Sequence, residues 1–207
     1  MPHAHGSADQ PEATPDLRQR RRTAMQREIG LRAAQLFEQQ GFADTTVDQI
    51  AAEAGISLRT FYRHCPVKEE TLTPLLVEGV HALVDALSRR PSTEPLPEAA
   101  RAALLAGSTT SDETLRIARV MLAEPALKAR WLAAGRRAQD LLGPVVAERL
   151  GLAPDSLAAK ATAGMLINVA TTALEHWAQH PEGTTLGETT AAAYTAVAGF
   201  SRPGPTR

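Results

Sequence analysis

The sequence predicts an all-α chain, and three observations carry that expectation. Hydrophobic residues make up 43% of the 207 residues but aromatics only 4%, and the apolar positions are mostly Ala and Leu, which favour helix over strand. The apolar residues recur at helical spacing rather than in alternation. Gly and Pro fall between the periodic segments, where helices have to stop.

Residues 1–16 mix Pro, Gly, Ser, Asp and Glu without apolar periodicity and read as a disordered tail. Asp16 then offers a cap for a helix with Leu17, Met25, Ile29, Ala33, Leu36 and Phe37 on one face, stopping at Gly41. Arg18, Arg20, Arg21 and Arg22 crowd its start. Positive charge there is unfavourable by about 0.3–1 kcal/mol per residue unless an anion answers it. A DNA phosphate and a solvated basic tail are both open.

The run Thr45 to His64 predicts two short helices folded about one glycine. Thr46 caps the first, Gln49 completes the reciprocal cap, Gly55 supplies the left-handed stop and Ser57 caps the second. Ile50, Ala51, Ala54, Ile56 and Phe61 form the apolar set two crossed helices bury, leaving Leu58, Arg59, Thr60, Tyr62, Arg63 and His64 outward. That outward set is rich in groups that contact nucleic acid.

After Pro66 a helix from near Lys68 to Arg90 carries Leu72, Leu75, Leu76, Val80, Leu83, Val84 and Leu87, with a kink or late start expected at Pro74 and Gly79. Three prolines in residues 91–97 separate it from further helices at about 98–106, 112–123, 125–150, 155–180 and 187–200. Pro125 fits a first helical position, Asp155 a cap, and Gly143-Pro144 should bend or interrupt its helix. The 155–180 segment is apolar almost all round and so needs cover on every side, which a second copy of the chain would supply.

A formal net charge of −1 excludes a protein that coats nucleic acid by bulk electrostatics, so DNA contact has to come from a local basic face. One cysteine excludes an internal disulfide. The polar start lacks a secretory stretch and no apolar run suggests a membrane span, so a cytoplasmic location is expected. A helical enzyme is disfavoured, because no paired nucleophile and base, phosphate-cradling glycine loop or metal quartet is present.

Phe37, Gly41, Phe42, Thr45, Thr46, Val47, Ile50, Ala51, Ala54, Gly55, Ile56, Ser57, Tyr62, His64, Lys68 and Glu69 stand at the spacings of one known family. From about residue 24 to 72 the chain resembles the TetR family of one-component transcriptional regulators. Cys65 replaces the family's usual aromatic and Val67 its small polar cap. Glu124-Pro125-Ala126-Leu127-Lys128-Ala129-Arg130 also resembles a segment common in family members. The resemblance implies a DNA-binding head at 17–66, a connecting helix at 67–90 and an effector-binding, dimerising body at 91–202, between tails at 1–16 and 203–207.

Helix 57–64 would lie in the major groove, with Arg59 on guanine and Leu58 and Thr60 on thymine methyls. The resemblance implies phosphate contacts from Tyr62, His64 and Lys68, the last beside the free donors of a helix N-terminus. Thr46 and Ser57 as caps, and the cations Arg22 and Arg63, complete the expected DNA-facing set. For the effector cavity that the family places in the body, Met121, Trp131, Met165, Asn168, Thr172 and His176 are the candidates, with Thr171 and Trp177 behind them.

His176 and His180 have the spacing of a helical metal pair but lack a recognisable third ligand, so no metal or cofactor is expected. Cys65 admits two readings, a redox sensor activated by His64 and a nearby helix end, or a small buried apolar residue. The expected protein is a homodimeric repressor that an effector releases from operator DNA. A ligand-free adaptor acting through protein partners is the alternative.

Overall fold

The computed structural model describes residues 17–200, which are helical with no strand among them. Asp16, the tails and the last residues expected in the body lie outside them. The helices are α1 (Leu17–Gln40), α2 (Val47–Glu53), α3 (Leu58–His64), α4 (Thr73–Arg89), α5 (Leu96–Ala106), α6 (Asp112–Ala123), α7 (Pro125–Leu150), α8 (Leu157–Gln179) and α9 (Leu186–Phe200).

Local chemistry sets the first three. α1 buries Ile29, Gly30, Ala33, Ala34 and Phe37 and stops at Gly41, where φ is +86° and the amide donates to the Phe37 carbonyl at 2.9 Å. The capping box of α2 is complete, the Gln49 amide donating to Thr46 Oγ1 at 3.2 Å and the Thr46 amide to Gln49 Oε1 at 2.7 Å. At its other end Gly55 turns left-handed at φ +65°, and the Ile56 amide closes on the Ala51 carbonyl at 2.9 Å. That bond is the long closure of a Schellman stop. Ser57 caps α3 by accepting the Thr60 amide at 3.2 Å.

The helix expected from near Lys68 takes the late start foreseen at Pro74: it begins at Thr73, because Pro74 lacks an amide and fits only a first turn, and a single 3₁₀ turn, Lys68–Glu70, fills the gap. Two details depart from expectation. Ser156, not Asp155, caps α8, accepting the Ala159 amide at 3.3 Å. Gly143-Pro144 does not interrupt α7. Pro144 lies on the exposed face, where water can meet the carbonyl that its ring leaves unpaired.

Two large apolar clusters hold the layers together. One joins Ile29, Phe37, Ile50 and Phe61 of α1–α3 to Leu72, Leu75, Ile117, Met121, Leu127 and Trp131. The other packs Leu83 and Leu87 of α4 against α5, the end of α7, and Leu166, Ile167 and Val169 of α8. α8 lies between α7 and α9, which are its main neighbours. By length and composition it is apolar enough to cross a membrane, contrary to the expectation from sequence; its most apolar stretch is 33% buried, with Ala159, Ala163, Leu166, Ile167 and Val169 in the core. Ala158, Ala161, Asn168, Thr172 and His176 remain exposed along it.

Candidate functional site

The exposed face of α3 carries several of the expected DNA-facing side chains. Leu58 is 40% exposed and Tyr62 52%, with Arg59 and Arg63 exposed beside them and Phe61 fully buried beneath. Phe61 anchors the helix edge-on to the Tyr62 ring, centroids 5.5 Å apart. Thr60 is half-buried, its hydroxyl 3.1 Å from Ser57 Oγ. Thr46 and Ser57 are exposed at the two helix starts.

His64 is half-buried behind this face, and its Nδ1 is buried without a hydrogen-bond partner among the described residues. Burial first, then the charges of Arg63 and Arg22, hold its imidazole below the usual histidine range. Arg22 is exposed on α1, and its charge acts on the ring of His64 at the end of α3. The His64 carbonyl accepts a bond from Gln26 Nε2 at 3.0 Å, which ties the end of α3 to α1.

Lys68 departs from expectation. No long helix begins there, since α4 starts five residues on, so the array of free amides expected beside it is absent. Its Nζ donates to the carbonyls of Phe42 at 2.7 Å and Thr45 at 2.8 Å, and sits 4.1 Å from the centre of the Phe42 ring. Cys65 is 2% exposed, and burial, with a smaller push from Glu70, raises its thiol to about 11. A thiol held protonated is a poor nucleophile, which removes the basis for a redox sensor.

A cavity of about 350 Å³ opens in the body among α4, α6, α7 and α8. Leu75, Leu76, Leu83, Leu104, Ile167 and Leu174 give it apolar walls, and of the expected effector residues Trp131 and Thr171 reach it. The others do not. Met121 is fully buried in the head-side cluster. Met165 borders a separate groove with Leu96 and Tyr194. Asn168 and Thr172 are exposed and bonded to each other at 3.3 Å, while His176 is exposed and stacked on His180 with centroids 4.7 Å apart. Trp177 is buried and donates to the Thr184 carbonyl at 3.1 Å. The α8 residues facing the cavity are Ile167, Ala170, Thr171 and Leu174; Asn168 and Thr172 are turned about 100° from Ile167 and Thr171 by a single residue step. Among the described residues no group of three or more His, Cys, Asp or Glu is placed to hold a metal.

Sequence reasoning missed the charged rim of this cavity. Arg27 of α1 pairs with Glu78 of α4 at 3.3 Å and Glu113 of α6 at 2.6 Å, so one guanidinium links the head to two body helices. Nothing local marks these residues, which stand 51 and 35 positions apart in the chain. Gly79 and Gly107, also in the wall, let α4 and the end of α5 touch through their backbones: a Cβ on Gly107 would lie 2.5 Å from the Gly79 carbonyl oxygen.

Residues 31–72 match the family model for bacterial regulatory proteins of the tetR family, and residues 90–200 the model for the MftR C-terminal domain. A Mycobacterium tuberculosis protein, named as the mycofactocin biosynthesis transcriptional regulator MftR, is 33% identical over 188 residues, covering 88% of this chain and 94% of its own. The HTH-type transcriptional regulator TcmR of Streptomyces glaucescens is 34% identical over 149 residues, 67% of this chain and 66% of that one. Among solved structures, a SmeT–triclosan complex superposes with a TM-score of 0.56 at 22% identity, covering 89% of this chain and 99% of that one. Thermus thermophilus FadR in complex with lauroyl-CoA gives 0.51 at 25% identity, covering 87% and 98%.

Proposed function

This chain belongs to the TetR family of DNA-binding transcriptional regulators, and on that premise we propose that it is a cytoplasmic homodimeric repressor released from its operator by a small apolar effector. The exposed, Ser57-capped α3 carries the proposal: it offers Leu58, Arg59, Tyr62 and Arg63 on a helix whose opposite side is locked by Phe61. Two heads would meet half-sites in successive major grooves, about 34 Å apart. Arg59 reads a guanine edge, Leu58 and Thr60 touch thymine methyls, and Thr46, Ser57, Tyr62, Arg63, His64 and Arg22 meet or lie beside the backbone.

Pairing would use the small-residue face of α8 with the exposed Ala192 and Ala196 of α9, where no neighbour among the described residues provides cover. The effector occupies the Trp131 cavity, whose size falls in the range of small-molecule sites. Two wall hydroxyls are already spent on helix carbonyls, Ser108 on that of Leu104 and Thr171 on that of Ile167, which favours an apolar occupant inside the charged rim. An occupant that pushes α4 from α6 strains the Arg27 pairs and so moves α1. The FadR neighbour, whose structure holds lauroyl-CoA, supports an occupant that carries an apolar chain.

Enrichment of duplexes from a random pool by the purified protein is the test. One palindromic motif should emerge, bound as a dimer, with Arg59→Ala losing preference at one base pair of each half-site. Equal binding to selected and random duplex at physiological salt would refute the proposal.

A further inference from the structure

The ammonium of Lys68 is engaged on the protein itself. Gly41 to Thr46 is the short link between α1 and α2, and it ends in the residue whose capping box starts α2. Both carbonyls that accept from Lys68, those of Phe42 and Thr45, lie in this link, and the same Phe42 ring that faces the charge is packed edge-on against Phe37 of α1 at 5.1 Å. Hydrogen bonds from a charged donor are roughly twice as strong as neutral ones. The far side is fixed as well, because Thr71 Oγ1 donates to the Lys68 carbonyl at 2.8 Å and Thr71 is fully buried.

The loop has a second set of ties that act in the same direction. Thr45, itself buried, donates its hydroxyl to the Gly41 carbonyl at 2.7 Å, and Gln40 Nε2 reaches Thr45 Oγ1 at 3.2 Å and Gln49 Oε1 at 3.1 Å. Lys68 is the one tie in this set that comes from beyond α3. It therefore connects the turn before α4 to the start of α2 across the whole helix-turn-helix. Reaching a DNA phosphate would cost the side chain two charge-assisted bonds and its place over Phe42.

We propose that Lys68 is a positioning residue for DNA recognition: it pins the Gly41–Thr46 link, fixing where α2 and hence α3 meet the duplex, and neutralises no phosphate. The inference rests on the DNA-binding role of the head. It separates two functions that a lysine in this position could serve, charge and geometry, and the two respond differently to salt.

The test is operator binding by the full-length protein over a salt series, for wild type and Lys68→Ala, with amide exchange of the free proteins. Each phosphate contact adds about 0.9 to the slope of log affinity against log salt. Lys68→Ala should bind about tenfold more weakly at every salt concentration with the slope unchanged. In the free protein the Thr45, Thr46 and Gln49 amides should exchange faster, an effect that loss of a phosphate contact would not produce. If Lys68→Ala leaves the head unfolded, Lys68→Met keeps the stem packed and carries the same expectations.

A slope lower by about one unit overturns the inference, whatever the exchange shows. Unchanged exchange at those three amides also overturns it. Wild-type protein that prefers no duplex sequence would take the inference down together with the DNA-binding role, whereas either of the first two results, in a protein that binds its operator, overturns it alone.

Discussion

Gly107→Ala is a stringent probe of how α4 and α5 are packed. Gly107 ends α5 with φ −82° and ψ −6°, a conformation alanine adopts without strain, so the backbone alone predicts a gain of about 0.4–1 kcal/mol from the stiffer unfolded chain. Packing opposes it. The new Cβ would sit 2.5 Å from the Gly79 carbonyl oxygen and 3.5 Å from the Leu83 amide nitrogen, and both obstacles are backbone of α4. Relieving the first contact needs a shift of nearly an ångström between two helices, and overpacking of that kind costs about 1–3 kcal/mol. The net expectation is a loss of about 1–2 kcal/mol, or roughly 2–8 °C in Tm for a chain of this length. Gly79→Ala should cost less, since its Cβ meets the Gly107 carbonyl oxygen at 2.9 Å and mid-helix alanine returns up to about 1 kcal/mol of propensity. Thermal unfolding followed by far-ultraviolet circular dichroism measures both. A Gly107→Ala protein as stable as wild type, or a Gly79→Ala protein less stable than Gly107→Ala, would refute the backbone contact.

The remaining predictions concern the head. Arg59→Ala should cost about 1–3 kcal/mol on the selected operator and near nothing on one already changed at its base pair; a uniform loss across operator variants would assign Arg59 to the backbone instead. Cys65 should resist an aromatic disulfide reagent at pH 8 and react fully once denaturant is added, because its thiol is buried and pushed up to about 11; fast labelling of the native protein contradicts that environment. For His64 the fold favours the neutral ring, so the unfolded chain takes up its proton first as pH falls below 6.5 and stability declines from there until the lowered folded pKa is passed. His64→Gln should flatten that part of the profile, measured as the denaturation midpoint between pH 7.5 and 5, and an unchanged profile would rule His64 out as its source.

The helix-turn-helix was legible because its signals are local. Thr46, Gln49, Gly55 and Ser57 act on partners within five residues, so spacing alone specifies the caps and stops seen in the structure. Where partners are distant, spacing carried less. Lys68 bonds to residues 26 and 23 positions back, and its sequence neighbours suggested a helix end rather than a loop. For the cavity, the apolar character of α8 was plain but its rotation was not: Asn168 and Thr172 stood out as polar interruptions and face outward, while Ile167 and Thr171, one residue earlier in each turn, face in. Arg27, Glu78 and Glu113 read singly as ordinary surface charges, and only the crossing of three helices makes them a rim.

Ile29, Phe37 and Phe61 share one continuous cluster with Ile117, Met121 and Trp131, so the DNA-binding helices have no apolar floor of their own. A chimera cut between Pro66 and Val67 and joined to another regulator's body would leave that floor facing mismatched side chains. Under the proposed readout, retargeting this protein to a new operator is better served by exchanging the side chains at positions 58, 59 and 60 on the intact molecule.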